Sequence, residues 1–264
     1  MNLVDFELAL RSGVFLAVFA ALAFWERLAP ARRLKLSRRQ RWGANLGLAL
    51  VSTLVVRVLV PGSAIALAVI ASTEGWGLFN RLGLPAWLAV VASVVVLDLV
   101  VYLQHVVFHS VPLLSRLHAV HHADPDFDLT TGIRFHPLEI LISALVKLAA
   151  VAALGAPVAA VLVFEVLLNA TAMFNHANAS LPGWLEPRVR RLVVTPDMHR
   201  IHHSVVEVER NSNYGFCLSV WDRLLGTYTP APRGALELGL TDWRDPRTIA
   251  TLPGALRMPF RRAH

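Results

Sequence analysis

Residues 87–109 read WLAVVASVVVLDLVVYLQHVVFH, an apolar run that opens on Trp87, carries one carboxylate at Asp98 and closes on the pair His105-x3-His109. Trp87 to Tyr102 alone makes about 24 Å of helix at about 1.5 Å per residue. An aromatic residue stands at each end, as is common at membrane interfaces. The helix is expected to run on to about His109, which places His105 and His109 just past the inner interface. Residues four apart share a helix face, so the two imidazoles point the same way. Asp98 lies on the same stripe, and an ionisable residue inside a span is costly enough to imply a role. The role expected here is to accept a proton from the far nitrogen of a ligating histidine. The competing reading pairs Asp98 with Arg57 or another buried base.

Outward from this stretch, the histidines continue. Ten of the chain's eleven lie between His105 and His203: the first pair, then His118-x2-His121-His122, His136, His176 and His199-x2-His202-His203. Each triplet puts three imidazoles on one helix face. Neutral imidazole suits iron, zinc, copper or nickel, whereas magnesium or calcium would call for an oxygen shell. Ten imidazoles exceed what one ion takes and suit two ions with open positions. His136 and His176 stand alone in the sequence, and a lone histidine in an apolar chain is usually a satisfied core residue. His264, in the Arg-rich end, takes that bland reading.

Composition sets the surroundings. The chain has 264 residues, 55% of them hydrophobic and only 16% charged, with a mean hydropathy of +0.53. A soluble domain carries about 25% charged residues, so the excess apolar content points to a membrane protein. The net charge of +7 comes from grouped basic residues beside apolar spans, which fits membrane topology rather than nucleic-acid binding. The single cysteine, Cys217, excludes an internal disulfide, a thiolate zinc site and an iron–sulfur cluster.

Residues 12–29 form a first apolar run, preceded by the acidic Asp5 and Glu7, and read as a retained anchor rather than a cleaved leader. Arg32, Arg33, Lys35, Arg38, Arg39 and Arg41 follow and are expected on the cytoplasmic side. Residues 44–71 make a second apolar stretch, interrupted by Arg57 and kinked at Pro61-Gly62. Pro112 is expected to end the helix of the first pair, with a new helix from about Ser115 carrying the first triplet. Residues 138–172 split at Gly155-Ala156-Pro157 into a hairpin, so the second triplet returns to the side of the first. Residues 184–191 read as an amphipathic surface segment with Arg188, Arg190 and Arg191 facing lipid head groups. Thr195 suits an N-cap with Pro196 in the first turn of the second triplet's helix. Beyond Thr229 a tail with little chemistry is expected.

The set H-x3-H, H-x2-H-H and H-x2-H-H resembles the fatty acid hydroxylase/sterol desaturase superfamily of membrane oxygenases. The flanking text matches as well: Leu97-Asp98, Arg134-Phe135-His136-Pro137-Leu138-Glu139, Asn175-His176-Ala177-Asn178, Thr195-Pro196-Asp197-Met198-His199, and Trp221-Asp222-Arg223-Leu224-Leu225-Gly226-Thr227-Tyr228. The resemblance implies an all-α, multi-pass membrane fold with a cytoplasmic helical cap holding a histidine-rich dimetal site. It divides the chain into N-terminal membrane helices (1–92), a catalytic domain (93–229) and a C-terminal tail (230–264). It implies two iron ions, with zinc a possible substitute on isolation, and dioxygen as co-substrate. The reaction implied is hydroxylation of a lipid C–H bond, with desaturation on the same site as the alternative. By position the ligands are His105, His109, His118, His121, His122, His176, His199, His202 and His203, with His136 as the tenth. Other members carry a short histidine pair where this chain has the separated His136 and His176. With no nucleotide, flavin or haem motif in the chain, a separate reductase, ferredoxin or cytochrome is implied, and the setting is a bacterial inner membrane with the site facing the cytoplasm. Two rivals are a metal transporter, whose ligands would sit near mid-bilayer, and a metal hydrolase using Asp98 or Asp197 as base.

Overall fold

The computed structural model describes residues 3–60 and 62–261, with side chains described from Leu8 onward. Pro61 and His264 therefore lie outside the described residues, as do the side chains of Asp5 and Glu7. The described chain is helical, with three isolated β-bridges and no named strand. Five stretches are long and apolar enough to cross a membrane: Leu8–Leu28, Arg38–Leu82, Ala86–Ser110, Pro137–Leu154 and Val158–Asn175.

The first lies within α1 (Leu3–Leu28). The second is broken into α2 (Arg38–Leu59), α3 (Ala64–Thr73) and α4 (Leu78–Leu82). Ser37 caps α2 by accepting from the Gln40 amide, and Ser63 caps α3 through the Ala66 amide. α5 (Ala86–Ser110) is the helix of the first histidine pair. The next, α6 (Pro112–His122), begins at Pro112 itself, not near Ser115. Proline lacks only an N–H that a first turn leaves unpaired, so one residue both stops α5 and opens α6. The apolar hairpin is α7 (Pro137–Leu154) and α8 (Val158–Asn175). Short helices complete the chain: α9 (Glu186–Val189), α10 (Pro196–His202), α11 (Glu207–Arg210), α12 (Val220–Leu224), α13 (Pro246–Ile249) and α14 (Leu252–Arg257).

Three apolar clusters organise these elements. Ala68, Leu97, Val151 and Phe164 join α3, α5, α7 and α8 inside the spans. Leu22, Leu129, Met173 and Ala177 tie α1 to the end of α8. Leu48, Val120, Ile249, Ala255 and Met258 tie α2 and α6 to the C-terminal helices. The segment beyond Thr229 is therefore packed into the core through Ile249, Ala255 and Met258. The Ile249 carbonyl accepts from the buried Arg134 guanidinium at 2.7 Å.

The basic connector is also more than a solvated topological signal. Arg41 is 1% exposed and donates to Asp124 at 2.6 and 2.8 Å and to Asp128 at 2.5 Å. A buried charge needs such partners, and the pairing locks α2 onto the loop after the first triplet. Glu26, at the end of α1, accepts from the amides of Leu129 and Asn178 at 2.7 and 2.8 Å. At the opposite end, the hairpin tip meets the turn before α4. A Cβ on Gly155 would fall 2.2 Å from the Trp76 carbonyl oxygen, and one on Gly77 would fall 2.0 Å from the Gly155 nitrogen. Gly155 also needs φ +64° to close α7.

Candidate metal centre

Nine imidazoles converge at the end of the spans that carries the basic connector. His105, His109, His118, His122 and His202 form one group; His121, His176, His199 and His203 form the other. Within each group the candidate ligand atoms lie within 4.8 Å of one another. Helix geometry explains the sorting. His118 and His122 are four apart on α6 and join the first group, whereas His121, three-quarters of a turn along, joins the second. In the second triplet, His199 and His203 face one group and His202 the other.

The ring nitrogens face each other at ligand spacing. Nε2 of His118 lies 3.1 Å from Nε2 of His105 and 3.2 Å from that of His122. Nε2 of His176 lies 3.2 Å from that of His121 and 3.1 Å from those of His203 and His199. Two nitrogens bound to one ion at about 2.1 Å stand roughly 3.0–3.4 Å apart, so the residues fit metal. The buried Nε2 atoms of His109 and His202 have no protein partner, and an all-nitrogen donor set suits a borderline transition metal. Burial pushes His121, His122, His199, His202 and His203 well below the ordinary histidine value, helped by the neighbouring rings. Burial lowers His176 to about 4. The rings are therefore neutral near pH 7, as ligands must be.

Six of the nine far nitrogens are held. Nδ1 of His105 donates to the Tyr214 carbonyl at 2.8 Å, His202 to the Ser212 carbonyl at 2.7 Å, and His109 contacts the Asn211 side-chain oxygen at 3.3 Å. One short loop thus orients three ligands of the first group. In the second, His121 donates to the Arg134 carbonyl at 3.2 Å and His176 to that of Ala172 at 2.7 Å. His118 donates to the buried Glu139 carboxylate at 2.6 Å. Phe135 stacks on His121, with ring centroids 4.3 Å apart and planes at 11°.

Two sequence assignments change. His136 joins neither group: its Nδ1 accepts from the Leu138 amide as the N-cap of α7, and its Nε2 donates to the Leu256 carbonyl. Pro137 in the first turn fixes the backbone in a capping geometry, which turns the ring away from the metal groups. Among the described residues Asp98 hydrogen-bonds to no histidine and no arginine. Its carboxylate accepts from the amides of Cys217 and Leu218 at 3.1 Å and from the Trp221 indole at 2.9 Å. It anchors the loop that orients the ligands, one step further out than expected. The carboxylate that does meet a ligand is Glu139, missed in the sequence although it closes the Arg134–Glu139 stretch. Asp197 pairs with Arg200 and Ser180, so neither carboxylate proposed as a hydrolase base holds a ligand ring. The nine histidines also lie towards or beyond one end of the long apolar helices, where a transporter would place ligands near their middle.

A helical chain with membrane-capable spans and two all-imidazole groups at one end, each able to hold a metal ion, defines the class of protein. Residues 90–227 match the fatty acid hydroxylase family, and the chain belongs to it. Among its relatives, an ornithine lipid hydroxylase, OlsE, of Rhizobium tropici is 31% identical over 60% of this chain and 47% of its own length. Alkylglycerol monooxygenases of Xenopus tropicalis and Homo sapiens are 29% and 28% identical, each over 53% of this chain and 30% of their own length. The chain thus spans less than half the length of these relatives. No solved structure matches it.

Proposed function

We propose that this chain is a non-haem di-iron oxygenase that hydroxylates a lipid C–H bond with dioxygen and electrons from a separate reductase, ferredoxin or cytochrome. The observation that carries the reading is the convergence of nine imidazoles, eight of them buried, into two groups. Family membership and the names of the relatives, a lipid hydroxylase and alkylglycerol monooxygenases, support the reaction class.

His105, His109, His118, His122 and His202 would hold one iron, and His121, His176, His199 and His203 the other. With dioxygen, such a pair supplies an oxidant able to break an unactivated C–H bond. The chain's own contribution is orientation and dryness. Six Nδ1 atoms held by fixed acceptors keep the Nε2 lone pairs of their rings aimed inward. Phe127, Phe135 and Phe216 surround the rings, and the burial of eight of the nine imidazoles keeps bulk water from a reactive centre. The site is assigned to the cytoplasmic face of a bacterial inner membrane, because the basic connector lies at the same end.

The test joins metal analysis to lipid chemistry. Purified protein should hold about two irons per chain, matching the two groups. Lipid extracts of a deletion strain, compared by mass spectrometry with the parent, should lack a species carrying one added oxygen that labels from ¹⁸O₂. A missing species that instead differs by two hydrogens makes the enzyme a desaturase. Identical extracts together with iron-free protein rule out the oxygenase.

A further inference from the structure

We propose that α12 and the neighbouring segment 184–192 form a lip sunk into the leaflet at the histidine end, with leucines among acyl chains and arginines at anionic head groups. The depth follows from two helices separately. Asp98 lies 12 residues into α5 from Ala86, or about 18 Å, and it holds Cys217, Leu218 and Trp221. Thr171 lies 13 residues into α8 from Val158, or about 20 Å, and its hydroxyl is 3.1 Å from the Cys217 sulfur. Both helices start at the opposite end of the spans, beside Trp87 and the Gly155 turn. The hydrocarbon layer is about 30 Å thick, so residues 217–221 stand roughly 10 Å inside its nearer boundary.

Segment 184–192 is joined to this loop. Val193 pairs with Leu218, the Ser219 amide donates to the Leu192 carbonyl at 3.0 Å, and the Ser219 hydroxyl donates to the Arg190 carbonyl at 2.6 Å. The outer surface of the joined segments carries Leu224 at 73% exposure, Trp184 at 67%, Leu192 at 63% and Leu225 at 52%. Arg188, Arg191 and Arg223 are exposed beside them, long enough to reach the head-group layer. Depth, apolar face and flanking cations agree on one occupant, the anionic lipid leaflet. From the same loop the Phe216 ring reaches inward to 5.9 Å from His105 and 6.4 Å from His199. The lip is therefore the side from which a lipid in that leaflet approaches both groups.

Nitroxide labels at Leu224→Cys and Leu192→Cys, in a Cys217→Ala background and in nanodiscs containing phosphatidylglycerol, test this without reference to metal or activity. Collision with oxygen should match a label at Val91→Cys on α5. Collision with a water-soluble nickel chelate should be several-fold lower than at Glu207→Cys on the cap. Nickel collision equal to that at Glu207→Cys puts the face in water and overturns the proposal. Protection from both agents also overturns it, because a protein partner or second copy then covers the face. If the labelled variants do not fold, mid-chain brominated lipids should quench the parent chain more than Trp184→Phe, and equal quenching of the two refutes the lip.

Discussion

His118 alone among the nine imidazoles donates its outer nitrogen to a carboxylate, Glu139, at 2.6 Å. A carboxylate partner fixes the tautomer and makes the ring a stronger ligand, and losing such a partner costs about 10–100-fold in metal affinity. Glu139→Ala should therefore weaken metal retention by about that factor against a chelator, while Glu139→Gln, which keeps an acceptor oxygen, should lose much less. Equal retention in all three forms would show the contact to be idle. His202→Ala should cost metal outright, since its Nε2 has no other partner. The depressed histidines add a pH effect to metal-free protein. His176 titrates near 4 in the fold and near 6.5 once unfolded. The unfolded chain then binds more protons between those values, and stability falls as pH drops from about 6.5 to about 4. Thermal unfolding of chelator-treated protein across that window checks the sign. Residue type in the sequence picked out the histidines that converge but not their partners. His136 and Glu139 lie three apart, and the ring of the first looks more metal-like than the carboxylate of the second. Only the structure shows that His136 caps α7 while Glu139 holds the outer nitrogen of His118.

Among the elements, the loop between α11 and α12 has most leverage. Asn213 sits at φ +54°, a left-handed turn that asparagine tolerates. The turn aims the flanking carbonyls of Ser212 and Tyr214 at His202 and His105. Asp222 fastens it by accepting from the Tyr214 and Gly215 amides at 2.7 and 2.9 Å and from Thr227 at 2.7 Å. Asp222→Ala removes those contacts, each worth about 1–3 kcal/mol when a buried donor is left unpaired. It should release the first ion while sparing the second, so metal analysis is expected to fall from two ions per chain to one. Retention of both would mean that the loop does not orient the first group. The Trp221–Tyr228 text was legible as a match, and its Trp221, Asp222 and Thr227 side chains brace the loop, but the carbonyls that meet His202 and His105 come from Ser212 and Tyr214 and carry no residue signature. The same limit applies at Gly155, where Gly155→Ala puts a Cβ against the Trp76 carbonyl in a strained backbone region. A cost of about 2–3 kcal/mol should appear as a lower inactivation temperature with metal content unchanged. The apolar runs themselves were readable because burial in lipid leaves a long, uninterrupted signal. Segment 184–191, read as an amphipathic surface segment, proved to hold only the single turn of α9.

At the scale of the whole molecule, the proposed sidedness rests on charge. The histidine end carries Arg27, Arg32, Arg33, Lys35, Arg38, Arg39 and Arg116, together with Arg188, Arg190 and Arg191 beyond α8. At the other end, the turn from α3 to α5 carries only Glu74 and Arg81, and the α7–α8 tip carries no charge. Cationic residues near span ends resist translocation, so the orientation we propose puts the richer end in the cytoplasm. The contacts make this an all-or-none choice. Arg41 locks the connector to the loop after the first triplet, and Glu26 locks α1 to the segments after both Asp128 and Ala177. One half cannot invert without burying those charges unpaired, at a cost of several kcal/mol. A membrane-impermeant maleimide added to intact cells should therefore label a cysteine placed at Gly75 and leave one at Arg33 unlabelled until the cells are opened. Labelling of the Arg33 position from outside would reverse the whole assembly, and the metal centre would then face away from cytoplasmic electron donors.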